Sequence, residues 1–265
     1  MPDITAIIAA YNDAGYIAEC IESVAAAGAA EIIVVDDAST DETAAVVESM
    51  GLGQVRLIRL GHNSGPSTAR NTGLREATND LCAMIDADDL IPPERLRVLA
   101  DLSERTGSTA VVDDLTAFHD ATGEHLWRRL DRIPGDEPSV TLTALDMIRH
   151  DLGSLKPLFH RKRLLELGLE YPEDIRRGED FLLLLGILKK GGSIVATRNT
   201  RYLIRRRTTG RLTSDRRALY SQLLTHQLRF QLSHRLSFAE HVALLRRHAG
   251  NAAGLLKSIL KPRKA

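Results

Sequence analysis

The stretch Glu31–Met50, "EIIVVDDASTDETAAVVESM", sets the fold class. Its first half is a buried-strand run, Ile32 to Val35, that ends in two acids, Asp36 and Asp37. Ser39 then stands three residues before Glu42, the spacing of a capping box, and the chain continues as a helix. A strand that passes through acids straight into a helix is one half of a β-α-β unit.

The surrounding ninety residues repeat that grammar. "ITAIIAAY" (Ile4 to Tyr11) is a short β-rich run, and "YIAECIESVAAAG" spaces its apolar residues as a helix does. "QVRLIRL" alternates as a third strand. "GPSTARNTGLREA" places Pro66 where a first helical turn tolerates it, and "LCAMID" reads as a fourth strand. The order β-α-β-α-β-α-β specifies an α/β protein with a doubly wound, mainly parallel sheet. Such sheets bind ligands beyond the C-terminal ends of their strands. Asp36 and Asp37 close the second strand and Asp86 and Asp88 follow the fourth, so both acidic pairs face one edge.

After about residue 110 the pattern loosens. "TAVVDDLTAFHDATGEHLW" reads as a strand with a hairpin turn near Asp120 to Gly123. A Pro/Gly/Asp-rich loop follows over Ile133 to Ser139, then short helices near 143–150 and 161–167. "GEDFLLLLGILKKGG" is an apolar helix entered through Gly178-Glu179-Asp180 and stopped by Gly191-Gly192. From about Ser214 the chain reads as helical with arginine-rich faces.

Composition narrows the class. The 265 residues suffice for a substantial core, and no apolar run is long enough to span a bilayer. The N-terminus lacks the basic region and cleavage site of a signal peptide. Two cysteines, Cys20 and Cys82, sit in apolar contexts and imply no disulfide framework, so a reducing cytoplasm is the expected location. The net charge of zero conceals a division. Residues 1–200 carry 33 acidic against 20 basic side chains, and residues 201–265 carry 2 against 15. The basic end, with "LIRRRTTGRLTSDRR" and "LLKSILKPRKA", suits a nucleotide diphosphate, a membrane surface or nucleic acid, and the bland alternative is that it pairs with the acidic body of the protein itself.

The candidate chemistry lies in four places. Asp86-Ala87-Asp88 presents two carboxylates on a turn, a donor set for Mg²⁺ or Mn²⁺, which combine few carboxylates with phosphate oxygens; the bland alternative is a solvated, helix-capping loop. Asp37 can accept the imide or amide proton of uracil, thymine or guanine, or one of Asp36 and Ser39 can cap the next helix. "GPSTARN" sets a helix N-terminus beside Arg70, a suitable neighbour for phosphate or ribose. Glu179-Asp180 opens a helix, which suits the helix dipole and equally suits a general base. Neither G-x-G-x-x-G nor G-x-x-x-x-G-K-[ST] occurs, which argues against a dinucleotide oxidoreductase and a P-loop NTPase.

Together, "ITAIIAAYN", "EIIVVDDASTDET", "NSGPSTARNTGL", "MIDADDLIPPERL" and "RRGEDFLLLLGIL" resemble the inverting family 2 glycosyltransferases of GT-A fold. The resemblance covers roughly residues 4–100 and 176–190. It implies a Rossmann-like nucleotide-binding sheet with helices on both faces and a C-terminal helical extension. Residues 1–112 would be the donor half, 113–212 the acceptor half of the same domain, and 213–265 a basic extension. It implies that Tyr11 and the Ala9 backbone flank the base and Asp37 binds its imide. Arg70 would lie against the nucleotide, Asp86 would approach the ribose or metal, and Asp88 would ligate the metal. Asp180 would be the catalytic base with Glu179 orienting the acceptor. One of Arg205, Arg206 and Arg207 would cover the diphosphate, with Arg206 as the chosen candidate. The expected activity is metal-assisted single displacement from a nucleotide sugar, with UDP as the expected nucleotide, onto a saccharide or lipid-linked hydroxyl. The basic C-terminus would touch the inner membrane face peripherally, and no nucleic-acid partner is expected. Ala9-Ala10 departs from the family's Pro or Thr, and aromatic content of 4% leaves Trp127 as the obvious sugar platform.

Two rivals remain. A nucleotidyltransferase needs a basic N-terminal loop, whereas residues 1–50 contain no Lys or Arg. A non-catalytic sugar-nucleotide-binding or scaffold subunit would keep the fold without turnover.

Overall fold

The protein is described by a computed structural model over residues 2–207 and 216–260. Four parallel strands form one half of its sheet: β1 (Ile4–Ala10), β2 (Glu31–Asp36), β3 (Val55–Arg59) and β4 (Leu81–Asp86), in the order β3-β2-β1-β4. β1, β2 and β4 are buried along nearly their whole length, as strands covered on both faces must be. The helices between them are α1 (Ile17–Ala26), α2 (Thr43–Ser49) and α3 (Pro66–Glu76). α1 buries Ile17, Cys20, Ile21 and Val24, one stripe at helical spacing. α3 starts at Pro66 after Gly65, whose φ of 95° is left-handed. Gly73 presses α3 onto β1: a Cβ there would lie 2.3 Å from the Ile7 side chain.

The sheet continues past β4 rather than ending. α4 (Arg95–Thr106) leads to β5 (Ala110–His119), which forms the expected hairpin with β6 (His125–Arg128). β7 (Ser139–Leu142), α5 (Ala144–Arg149), β8 (Leu158–His160) and α6 (Arg161–Glu166) follow, then α7 (Glu179–Lys189) and the long β9 (Ile194–Arg206). β8 lies antiparallel between β4 and β5, and β9 runs parallel to β5, giving β3-β2-β1-β4-β8-β5-β9-β7 with β6 beside β5. The boundary expected at residue 112 falls inside β5, so one sheet runs through both halves. Helices α8 (Arg216–Ser233) and α9 (Phe238–Leu260) pair with each other, and α9 also packs on α5. Much of the expected arginine-rich loop, and the last five residues of the basic tail, lie outside the described residues. Among the described residues no helix is long and apolar enough to cross a membrane.

Two features depart from the sequence reading. β7, β8 and β9 were not expected as strands; β8 is three residues long, and β9 mixes its apolar residues with arginines. The capping box at Ser39 and Glu42 does not form. Ser39 Oγ instead accepts the Asn12 N–H at 2.9 Å, knitting the loop after β2 to the end of β1.

Candidate active site

The strand ends align as the parallel register requires. Ala9 pairs with Val35 and with Asp86, which puts the tips of β1, β2 and β4 side by side, with Tyr11 just beyond. Asp36 is fully buried; its Oδ1 accepts the Ser39 N–H at 3.1 Å, and Oδ2 lies 3.7 Å from Arg59 Nε. Asp37 accepts the N–H groups of Ser64 at 2.7 Å and Gly65 at 2.8 Å, so both of its oxygens hold the entry to α3. In this structure Asp37 therefore fixes a loop.

Asp86 is the hub. Arg70, 4% exposed on α3, donates to Asp86 Oδ1 at 2.8 Å and to Glu179 Oε1 at 2.7 Å, and lies 3.7 Å from Asp180 Oδ1. Its guanidinium sits 5.3 Å from the centre of the Tyr171 ring. Lys156, in the loop before β8, lies 2.8 Å from Asp86 Oδ2 and donates to Asp180 Oδ2 at 2.8 Å. Two cations thus link three carboxylates drawn from β4 and from the first turn of α7. Glu179 and Asp180 reach this point because α7 begins at Gly178 in the left-handed conformation, without a side-chain cap, and its first turn presents acids to the helix N-terminus.

Charge follows geometry. Burial pushes the Asp86 carboxyl up, but Lys156 and Arg70 outweigh it and hold the group well below the usual range. Burial works against the Lys156 ammonium, yet Asp180 and Asp86 keep it charged beyond its ordinary range. Glu179 is pushed up, first by burial and then by the neighbouring Asp180. Asp180 Oδ1 is buried without a hydrogen-bond partner among the described residues. A buried carboxylate oxygen in that state has lone pairs left for an incoming hydroxyl.

A layer below supports the cluster. Arg95, fully buried at the start of α4, makes a two-pronged pair with Asp113 at 2.8 and 2.9 Å and donates to the Lys156 carbonyl at 2.8 Å. Tyr202 on β9 accepts the Asp86 N–H at 2.9 Å through its hydroxyl. None of Lys156, Arg95, Asp113 and Tyr202 was picked out from the sequence. The available signal was charge in apolar company: Lys156 in "GSLKPLF" and Arg95 at the end of "DLIPPERL".

Asp88 stands apart from the cluster. Arg207 Nε lies 2.8 Å from its Oδ2, and the same guanidinium pairs with Asp13 and sits 4.1 Å from the Tyr16 ring centre. Burial raises the Asp88 carboxyl to about 6 despite Arg207, with Asp86 and Asp13 acting in the same direction. Asp89 is buried and accepts the Arg205 N–H at 2.8 Å. The three arginines, Arg205 and Arg206 at the end of β9 and Arg207 just past it, alternate in the side they take. Arg205 goes to Glu19 and Asp120, and Arg207 goes to Asp13 and Asp88. Arg206, between them, turns to the opposite face and lies 5.0 Å from the Trp127 ring centre. Arg206, the chosen partner of a diphosphate, is thus on the wrong face for Asp88, and Arg207 is on the right one. Trp127 is no open platform either, since Arg129 also stacks on it at 4.8 Å.

The donor set for a hard cation reduces to Asp88. Both oxygens of Asp86 are held by cationic side chains, whereas Asp88 has one such partner, on Oδ2. Among the described residues there is no group of three or more metal-binding side chains. A cation at Asp88 would therefore take its remaining oxygens from phosphate and water, which suits Mg²⁺ or Mn²⁺.

The family description "Glycosyl transferase family 2" matches residues 5–159. The chain is 35% identical over 211 residues to the succinoglycan biosynthesis protein ExoO of Rhizobium meliloti (strain 1021), covering 77% of this chain and 60% of that protein. It is 32% identical over 200 residues to ExoU of the same organism, covering 71% and 58%. The chain thus spans about three fifths of the length of these relatives. Among solved structures, TarS residues 1–349 of S. aureus in complex with UDP-GlcNAc aligns with a TM-score of 0.73 at 21% identity, over 97% of this chain and 71% of that one. The mannosyltransferase PcManGT of Pyrobaculum calidifontis, in complex with GDP-Man and Mn²⁺, aligns at 0.68 and 19% identity, over 98% and 75%. At these identities the likeness is one of fold.

Proposed function

Since this chain belongs to glycosyl transferase family 2 and has the GT-A fold, we propose that it transfers a sugar from a nucleoside diphosphate sugar to an acceptor hydroxyl with inversion. The carrying observation is the meeting of Asp86 from the β4 tip with Asp180 from α7 through Lys156 and Arg70. That link holds a candidate base at a fixed place relative to the strand ends where the donor would lie. The nucleotide-sugar complexes of the S. aureus and P. calidifontis proteins support the donor class.

Each role follows from the contacts. Tyr11 and the Ala9 backbone would border the base at the β1 tip, with Asp37 stiffening the loop beside it. Lys156 holds Asp180 Oδ2, which leaves Oδ1 to accept the proton of the attacking hydroxyl. The side chains over Oδ1 must part to admit that hydroxyl. Glu179, fixed by Arg70, would orient the acceptor. Arg70 acts as a buried connector in place of the expected nucleotide contact. Arg207 faces the negative charge that builds on a leaving diphosphate beside Asp88. A divalent cation bound at Asp88 would supply further charge compensation to the diphosphate. The nucleotide is proposed as UDP and the acceptor as a saccharide or lipid-linked saccharide, with peripheral membrane contact through the basic C-terminal stretch.

The test is a calorimetric titration of UDP, GDP, dTDP and ADP, with and without Mn²⁺, against wild type and Asp88→Ala. Binding of one nucleotide that needs both Mn²⁺ and Asp88 supports the reading. Binding without any turnover of its sugar nucleotides points to a scaffold subunit, and no binding at all removes the donor reading.

A further inference from the structure

Behind Phe181, the residue after Asp180, lies a cluster of arginines that the reaction as described does not use. Asp151, whose φ of 53° is left-handed for a residue with a side chain, is shared by three guanidiniums. Arg247 of α9 lies 2.6 Å from its Oδ1, and Arg132 and Arg129 lie 3.2 and 3.4 Å from its Oδ2. These three arginines have no other carboxylate partner among the described residues, so one negative charge faces three positive ones. Arg247 also stacks on Phe181 at 4.5 Å, and Arg129 stacks on Trp127, whose other cationic neighbour is Arg206. Burial, followed by repulsion from Arg132, Arg206 and Arg247, lowers the Arg129 pKa despite Asp151.

The cluster is reachable and close to the base. Arg132 is 50% and Asp151 49% exposed, while Arg129 and Arg247 are 12% and 19% exposed. One Cα–Cα step and one phenylalanine side chain separate Arg247 from Asp180, a distance of at most about 15 Å. The loop that carries Asp151 also carries Lys156, five residues on, so the arginine cluster and the base are fixed to one short segment.

Pre-placed guanidiniums with surplus charge match a phosphate, which offers two or more oxygens to their forked donors. A neutral sugar would leave the surplus uncompensated. We propose that Arg247, Arg132 and Arg129 bind a phosphate group of the acceptor, so that the acceptor is a phosphate- or diphosphate-bearing saccharide with its reactive hydroxyl at Asp180. The inference rests on the glycosyl-transfer reading for that hydroxyl, and its source can be a lipid-linked diphosphate or a soluble sugar phosphate.

Glucose 1-phosphate, farnesyl diphosphate and methyl glucoside are titrated into protein already saturated with UDP and Mn²⁺, so that the donor site is filled. The expected result is phosphate probes binding at least about tenfold tighter than methyl glucoside, and about tenfold weaker to Arg247→Ala. Arg132→Ala, which changes an exposed side chain that bears little on folding, should weaken them in the same direction, and Arg247→Lys should restore part of the loss. Tighter binding of farnesyl diphosphate than of glucose 1-phosphate identifies the lipid-linked source, and the reverse order the soluble one. Phosphate probes that bind no better than methyl glucoside, or equally well to both alanine variants, overturn the proposal. Failure of the initial UDP saturation would count against the donor reading alone, since the titrations on the variants still report on the arginines.

Discussion

Replacing Lys156 by Met removes the ammonium that joins Asp86 to Asp180 while keeping a side chain of similar length. Both contacts are 2.8 Å, the lysine side chain is 6% exposed, and Asp180 is 10% exposed. In the variant Arg70 alone faces Asp86, Glu179 and Asp180, so the cluster goes from two cations for three carboxylates to one. Breaking a buried ion pair by deleting one partner costs about 3–5 kcal/mol. In a chain of this size that corresponds to a fall in Tm of roughly 5–9 °C. The linkage has a definite sign. The Lys156 pKa is raised, so its contribution is fully present at neutral pH and is lost only as pH rises through the folded value. The deficit of Lys156→Met is therefore already complete at pH 7. With the ammonium gone, Asp180 Oδ2 loses the contact that holds it, so the base leaves its place and turnover falls. Thermal melting followed by circular dichroism, with UDP release from a turned-over sugar nucleotide measured at pH 7, reads both effects. Lys156→Arg should recover part of each. A Met variant with the wild-type Tm and wild-type turnover would refute the view that Lys156 positions the base.

Three further outcomes follow from the same contacts. Arg95→Leu strands Asp113 in the core and frees the Lys156 carbonyl, so it should lose about 3–5 kcal/mol in urea unfolding; a loss below about 1 kcal/mol would contradict the support assigned to it. Arg207→Ala should weaken UDP binding by calorimetry about tenfold and more than Arg206→Ala does, because Arg207 lies against Asp88 whereas Arg206 lies against Trp127. Glu31 accepts bonds from Thr5 and from Thr78, which overcome burial and lower its pKa. Glu31→Gln should therefore be less stable by about 1 kcal/mol at pH 7, with the gap to wild type closing as pH falls below about 4; a gap independent of pH would contradict this.

The donor half was legible because its strands are covered on both faces. Ile32 to Val35 and Leu81 to Ile85 leave no doubt about period or depth, and the acids that end those runs mark the sheet edge. Glu179 and Asp180 were legible as a pair at a helix start, though only the fold brings them to Asp86. The rest depends on long-range pairing. The alternation at the end of β9 and in the residue after it decides which of Arg205, Arg206 and Arg207 faces Asp88, and no local signal fixes that parity. Lys156 stands alone in an apolar stretch, and its two partners are distant in the chain. The Ser39–Glu42 spacing fits a capping box, yet the Asn12 N–H takes the Ser39 hydroxyl because the ends of β1 and β2 are adjacent.

The claim that Asp180 is the base of a nucleotide-sugar transferase is tested most directly by Asp180→Asn, which keeps the shape and removes the charge. Turnover of the sugar nucleotide and affinity for UDP are measured on the same preparation. The account predicts a fall in turnover of about 10²- to 10⁴-fold with UDP affinity nearly unchanged. Wild-type turnover in Asp180→Asn would contradict it.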